Sequence, residues 1–328
     1  MKDNMRIKEK AAEVFRCGMT MISPSLNTKV CYRVKTGKKL DLKNPTGFKE
    51  KLLKLKLDNY DHNPLVKQCA DKYLVRDYVC KQLGYEVGQN VLNSLIATYN
   101  TVEEIEWNKL PDKFAIKWNF GCGYNLIVPD KSKLDIQSAS DRLKCWGKKK
   151  AYLGYAEMQY KGVDKKILVE RYLESKHGGL PEDYKVYCFS GKPVAILYIS
   201  ERGTGSSKGG FFDLNWNYLG VTGKETYKEF TKIPDCPGAL NTMLEVSRKL
   251  SVPFPFVRVD FYDVDGKAVF GEMTFTPAGG SQASEIDING ISMGELLDLN
   301  YSGAKYDGGT RQCEKSKIII GGGTPRKQ

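Results

Sequence analysis

The most constraining stretch of the chain is residues 256–276, FVRVDFYDVDGKAVFGEMTFT, two β-branched and aromatic runs joined at Asp265-Gly266. Such runs around an Asp-Gly pair form a β-hairpin, predicted here as Phe256–Val264 and Ala268–Phe275. Side chains two apart on a strand share a face, so Arg258 and Asp260 point one way, and Glu272, Thr274 and Thr276 point together on the next strand. Whether the two sets meet depends on the turn. A two-residue turn pairs Val264 with Lys267 and leaves Glu272 facing away from Asp260; a three-residue loop over Asp265–Lys267 sets Asp260 opposite Glu272. Carboxylates facing each other across strands repel. A divalent cation relieves that cost, and oxygen donors of this kind suit Mg²⁺ carrying nucleotide phosphates, with Arg258 balancing their charge. The plainer alternative is two exposed carboxylates on a wet face.

The second informative piece is KFAIKW, residues 113–118, a predicted strand ending on Lys117, followed by the glycine turn NFGCGYN and a returning strand Leu126–Val128. A lysine beside a glycine turn can hold phosphate, because backbone N–H groups approach closely and the ammonium adds charge. The spacing Gly121-x-Gly123 lacks the G-K-[ST] of a Walker loop, so an ordinary hairpin turn competes. The third piece is ILVERYL, residues 167–173, where Glu170 interrupts an apolar strand and can read a purine amino group; otherwise it is a core strand.

Around these pieces the pattern predicts helices near Lys8–Phe15, Phe48–Leu57, Asp71–Gly84, Glu103–Trp107, Asp141–Trp146, Gly238–Leu250 and Gly294–Leu299. Strands are predicted at Val91–Tyr99 and in a hairpin of Tyr184–Phe189 with Pro193–Ser200, and a loop at Thr204–Gly210. The fold class is α+β. Its divisions are an N-terminal helical segment (1–109), a small lobe (110–172), a large lobe (173–300) and a basic, Gly-rich tail (301–328) expected to be disordered.

Composition narrows the chemistry. Nine cysteines contain no C-x-x-C pair and only two histidines are present, His62 and His177, so zinc sites, disulfide frameworks and His-based triads lack material. No apolar run approaches the roughly 20 residues of a membrane span, and no hydrophobic core follows the basic start, so secretion and membrane spanning are not expected; free thiols imply a reducing cytoplasm. Lys+Arg total 51 against 39 Asp+Glu, a formal +12. That excess fits an anionic partner or simply solvated faces; nucleic acid lacks any recognisable module here.

Taken in order, six segments resemble the ATP-grasp superfamily, most closely its TupA-like branch, associated with teichuronopeptide and other surface-polysaccharide biosynthesis. They are DKYLVRDYV (71–79), LPDKFAIKWNFGCGYNLIVPDKSKLD (110–135), ILVERYLE (167–174), LPEDYKVYCFSGKPV (180–194), FFDLNWN (211–217) and FPFVRVDFYDVDGKAVFGEMTFTPAGG (254–280). The resemblance implies two α+β lobes clasping ATP, and ATP-dependent carboxylate–amine ligation through an acylphosphate. It implies ATP and Mg²⁺ as cofactors, and an amino acid and an anionic uronate or acidic-peptide acceptor as partners, with peripheral contact to an anionic membrane or a lipid-linked precursor. Carried over by position, Lys72 and Lys117 contact ATP phosphates, and Gly121 to Gly123 belong to a phosphate-covering loop. Glu170, Tyr172 and Leu173 match the adenine-reading linker, Asp183 the ribose side, and Arg202 a phosphate-side arginine. Arg258 and Lys185 stabilise phosphoryl charge, and Asp260 and Glu272 hold metal; Thr274 stands where most members have Asn and is a weaker Mg²⁺ ligand. The alternatives are an ATP-grasp kinase that phosphorylates its acceptor and stops, and a non-catalytic anionic-glycan-binding protein.

Overall fold

The computed structural model describes residues 2–175, 179–201, 206–221 and 227–303, with side chains from Glu9 onward. Two antiparallel sheets dominate. The smaller has the order β1-β4-β2-β3, built from β1 (Leu95–Tyr99), β2 (Phe114–Trp118), β3 (Asn125–Val128) and β4 (Ile167–Arg171). The larger runs β10-β9-β5-β6-β7-β8, from β5 (Asp183–Phe189), β6 (Lys192–Ser200), β7 (Lys208–Phe212), β8 (Tyr218–Gly220), β9 (Phe256–Val264) and β10 (Lys267–Thr274).

Alternation decides what each sheet buries. In β2, Phe114, Ile116 and Trp118 turn inward and Lys117 turns out. Leu143 of α7 (Ile136–Gly147) packs against that inner face, and the Trp118 indole donates to the Leu143 carbonyl at 3.0 Å. In β9, Val257, Val259 and Phe261 turn inward beneath α8 (Leu240–Ser251), which supplies Met243, Val246 and Leu250. Each such side chain contributes about 1.5–3 kcal/mol when fully buried.

The N-terminal helices are not a separate layer. Beyond α1 (Lys2–Ile22) and α2 (Pro24–Thr36), α3 (Phe48–Leu55) and α5 (Val75–Leu83) lend Phe48, Leu52, Tyr78 and Val79 to the large sheet's core. Tyr60 and Tyr78 are fully buried and donate to the Phe256 and Leu250 carbonyls at 2.7 and 2.8 Å. The small sheet likewise recruits β1 from ahead of residue 110.

Several expectations change. Glu103–Trp107 is turn rather than helix, with a single 3₁₀ turn at Trp107–Lys109. The helix expected from Asp71 starts only at Val75, because the Asp71 carboxylate takes the Tyr73 and Leu74 N–H groups at 2.7 and 3.1 Å and leaves Lys72 in a turn. Lys208–Gly210, expected as loop, opens β7. Three helices were not anticipated: α2, α4 (Pro64–Ala70) and α6 (Tyr85–Val91). The first two begin with Pro after a capping Ser23 or Asn63, whose side chains accept from Leu26 N and from Leu65 and Val66 N. Arg202, His177 and the tail from 304 lie outside the described residues.

Candidate active site

The Asp265-Gly266 turn is the two-residue kind: Val264 pairs with Lys267, and both turn residues have positive φ, 55° and 76°. On that register alone Glu272 would face the core. It does not, because a bulge at Gly271 shifts the pairing from Phe270↔Phe261 to Glu272↔Asp260. Gly271 lies close under its partner strand; a Cβ there would sit 3.1 Å from the Asp260 carbonyl oxygen. Beyond the bulge Met273 turns inward, and Glu272 and Thr274 join Asp260 and Arg258 on one face. On the other side β5 sets Lys185 opposite Asp260 and Tyr187 opposite Arg258.

The result is a dense charge cluster. Arg258 holds Asp260 bidentately, Nε to Oδ1 and Nη2 to Oδ2, each at 2.7 Å. Lys185 Nζ donates to Asp260 Oδ2 at 2.9 Å and lies 3.4 Å from Asp183. Burial alone would raise the Asp260 pKa, but the two cations outweigh it and hold the carboxyl below its usual range. Burial likewise pushes Lys185 down, and the neighbouring Asp260 carboxylate reverses this into a net rise. Thr274 Oγ1 accepts from Arg258 Nη2 and donates to Glu272 Oε1, both at 3.2 Å. Its hydroxyl therefore orients Glu272.

A second cluster forms on the small sheet. Lys117 of β2 reaches Glu170 of β4 at 2.8 Å, and Glu170 also receives Asn93 Nδ2 at 3.3 Å and faces Arg76 at 3.9 Å. Tyr172 and Leu173 follow β4 directly and begin the link towards β5; Lys113 sits over the Tyr172 ring at 5.8 Å.

Lys72 connects the two sheets. Its Nζ donates to the Gly121 carbonyl at 2.5 Å and lies 3.6 Å from Glu272. Gly121 and Gly123 both have positive φ, and a Cβ on Gly121 would meet the Tyr124 ring at 2.8 Å. The base of this loop is clamped by Asn119, which donates to the Asp71 carboxylate at 2.7 Å and the Asp164 carbonyl at 2.9 Å, and accepts from Lys166 N at 2.9 Å. Sequence reasoning passed over Asn119, Asp71 and Asn93; only their polarity beside apolar runs marked them.

Lysines and an arginine thus converge with two carboxylates where the sheets approach, the lining a polyphosphate with a divalent cation requires. Asp260 and Glu272 bring hard oxygens into cross-strand register, those of Asp260 already accepting from Arg258 and Lys185. Among the described residues no group of three or more His, Cys, Asp or Glu forms a closed metal cage. Two carboxylates without a cage suit Mg²⁺, which keeps its remaining positions for phosphate and water. The residues therefore fit that ion.

The family model for TupA-like ATPgrasp matches residues 50–296, spanning every group named above. The chain belongs to this family. No curated protein matches the chain. Among solved structures it is similar to a D-alanine–D-alanine ligase from Bacillus anthracis complexed with ATP, at 18% identity and a TM-score of 0.41, over 71% of this chain and 64% of that one. It is also similar to an N5-carboxyaminoimidazole synthase from Aspergillus clavatus, at 11% identity and 0.38, over 70% and 50%. The chain thus spans less than two thirds of either neighbour. No helix among the described residues is long and apolar enough to cross a membrane.

Proposed function

We propose that this TupA-like ATP-grasp protein is an ADP-forming ligase that joins an amino acid to an acidic acceptor, a uronate-bearing glycan precursor or an acidic peptide, in surface-polysaccharide or teichuronopeptide synthesis. The observation that carries the reading is the bulge at Gly271, which turns Glu272 towards Asp260, Arg258 and Lys185 rather than into the core. A fold relic would have no need of it.

In this reading Lys117 and Lys72 hold the nucleotide's phosphates, and Glu170 with the Tyr172–Leu173 link faces the purine. Asp183 serves the ribose side. Asp260 and Glu272 would hold Mg²⁺, which supplies charge neutralisation at the transferred phosphoryl group. Arg258 and Lys185 stabilise the charge that develops as the acceptor carboxylate attacks the γ-phosphorus and ADP leaves. The amine then attacks the acylphosphate carbonyl and inorganic phosphate departs. Asn119 anchors the Gly121–Gly123 turn over the reacting groups, keeping water from that mixed anhydride. An anionic acceptor agrees with the basic chain, above all with residues 1–60, which hold 15 Lys and Arg against 6 Asp and Glu. The same segment suits peripheral contact with an anionic membrane or lipid-linked precursor on the cytoplasmic side.

The test is ADP release from Mg²⁺–ATP across amino acids crossed with uronates and acidic peptides. Release that requires both an amine and a carboxylate, and is lost in Lys117→Ala, supports the ligase. Release with a carboxylate or hydroxyl acceptor alone, indifferent to any amine, replaces it with a kinase.

A further inference from the structure

Beside the phosphate-side cluster lies a second polar cluster that no step above uses. Thr276, two residues beyond Thr274, donates through Oγ1 to Glu157 Oε1 at 2.6 Å and accepts from Gln159 Nε2 at 3.2 Å. Glu157 is partly exposed as a residue while its carboxyl is desolvated, and Lys56, Lys72 and Glu272 all act on it electrostatically. Lys56 opens, and Asp61 directly follows, the π-helical turn Lys56–Tyr60 that continues α3, an irregularity often kept at functional sites. Lys56 is 1% exposed and gives its ammonium to the Tyr155 carbonyl at 2.9 Å.

Two acceptor atoms of this cluster have no partner. Gln159 is 1% exposed and its Oε1 receives no hydrogen bond; Asp61 is 6% exposed and its Oδ1 receives none. A buried acceptor left bare is destabilising, so such atoms draw a donor. The cluster is therefore short of donors and, at the partly exposed Glu157, carries a carboxylate. A primary ammonium supplies three donors and the opposite charge, whereas a carboxylate or phosphate supplies neither.

We infer that Glu157, Gln159 and Thr276, with Asp61 behind them, form the subsite that binds the attacking substrate's primary amine beside the phosphoryl-transfer groups. This rests on the ligase reading above. The ammonium gives one proton to the Glu157 carboxylate, and burial, which raises the Glu157 pKa, favours that transfer. The neutral nitrogen then attacks the acylphosphate carbonyl. The C–N bond forms as the C–O bond to phosphate breaks, and the nitrogen's surplus proton leaves with the phosphate. Gln159 and Thr276 orient the nitrogen.

The test titrates ¹³C-methylammonium, followed by NMR, into the full chain with Mg²⁺ and a non-hydrolysable ATP analogue, alongside Glu157→Gln and Gln159→Leu. Tetramethylammonium, equal in charge but without N–H donors, is the control, and analogue binding is measured in each sample. The expected result is saturable methylammonium binding, weakened at least tenfold in Glu157→Gln and several-fold in Gln159→Leu, with tetramethylammonium excluded. No saturable binding to the wild type, or equal binding of tetramethylammonium, overturns the subsite; neither result depends on a variant folding. Unchanged affinity in both variants overturns it too. Analogue binding without methylammonium binding refutes the subsite alone, whereas methylammonium binding without analogue binding removes the ligase reading and the attacking-amine role with it.

Discussion

Asp260→Asn isolates the most consequential interaction in the molecule. Asp260 accepts three charge-assisted hydrogen bonds, two from Arg258 at 2.7 Å and one from Lys185 at 2.9 Å. The three side chains are 5%, 12% and 14% exposed. Asn keeps the shape, removes the charge and turns an NH₂ group towards one of the cations. Two mutually repelling buried cations remain, and breaking a buried ion pair this way costs about 3–5 kcal/mol. Urea unfolding at pH 7 measures that loss. Because Arg258 and Lys185 depress the Asp260 pKa, its contribution is fully present above an unfolded value of about 3.9 and fades as pH falls through the folded one. The deficit should therefore shrink below pH 4. Inorganic tripolyphosphate, a surrogate anion for the two cations, should stabilise the variant more than the wild type. A deficit under about 1 kcal/mol at pH 7, or no differential effect of tripolyphosphate, would refute the claim that Asp260 holds the phosphate-side cations.

Other consequences follow from single groups. Gly121→Ala places a Cβ 2.8 Å from the Tyr124 ring and 3.0 Å from the Ala151 Cβ, at a φ of +65°, so the loop must shift and nucleotide affinity should fall about tenfold by calorimetry. Gly123→Ala, also at positive φ but with nothing within 4 Å, should cost only backbone strain of about 1 kcal/mol and leave affinity nearly unchanged. Burial pushes Asp61 up to about 6. The folded state then holds a proton that the unfolded chain has released, so this group's contribution falls as pH rises from about 4 to 6. Asp61→Asn should remove that slope and gain about 1–2 kcal/mol relative to the wild type between pH 4 and pH 7, read from urea midpoints; a parallel pH dependence in both proteins would count against it.

Much of the site was legible because it lies on strands, where alternation assigns faces. Arg258 and Asp260 could be placed together, and Lys117 set opposite the inward Phe114, Ile116 and Trp118, without coordinates. The turn alone gave the wrong partner for Glu272. A further signal was present: the apolar positions run Ala268, Phe270 and then Met273, Phe275, switching parity at Gly271, which is how a bulge appears in a sequence. The Ser23-Pro24 and Asn63-Pro64 pairs likewise announced α2 and α4 through their caps. Asn119 with Asp71 and Glu157 with Thr276 were not legible, since their partners are 48 and 119 residues apart and only tertiary packing joins them. Strand periodicity says nothing about a side chain on an irregular segment, and both Glu157 and Asn119 sit on one.

The central claim is that a magnesium nucleotide is held between the two sheets. Calorimetric titration of the full chain with a non-hydrolysable ATP analogue, with and without Mg²⁺ and beside Lys117→Ala, tests it directly. The account predicts saturable, Mg²⁺-dependent binding that weakens at least tenfold when Lys117 no longer faces Glu170. Absence of binding at millimolar analogue, or equal affinity in Lys117→Ala, would contradict it.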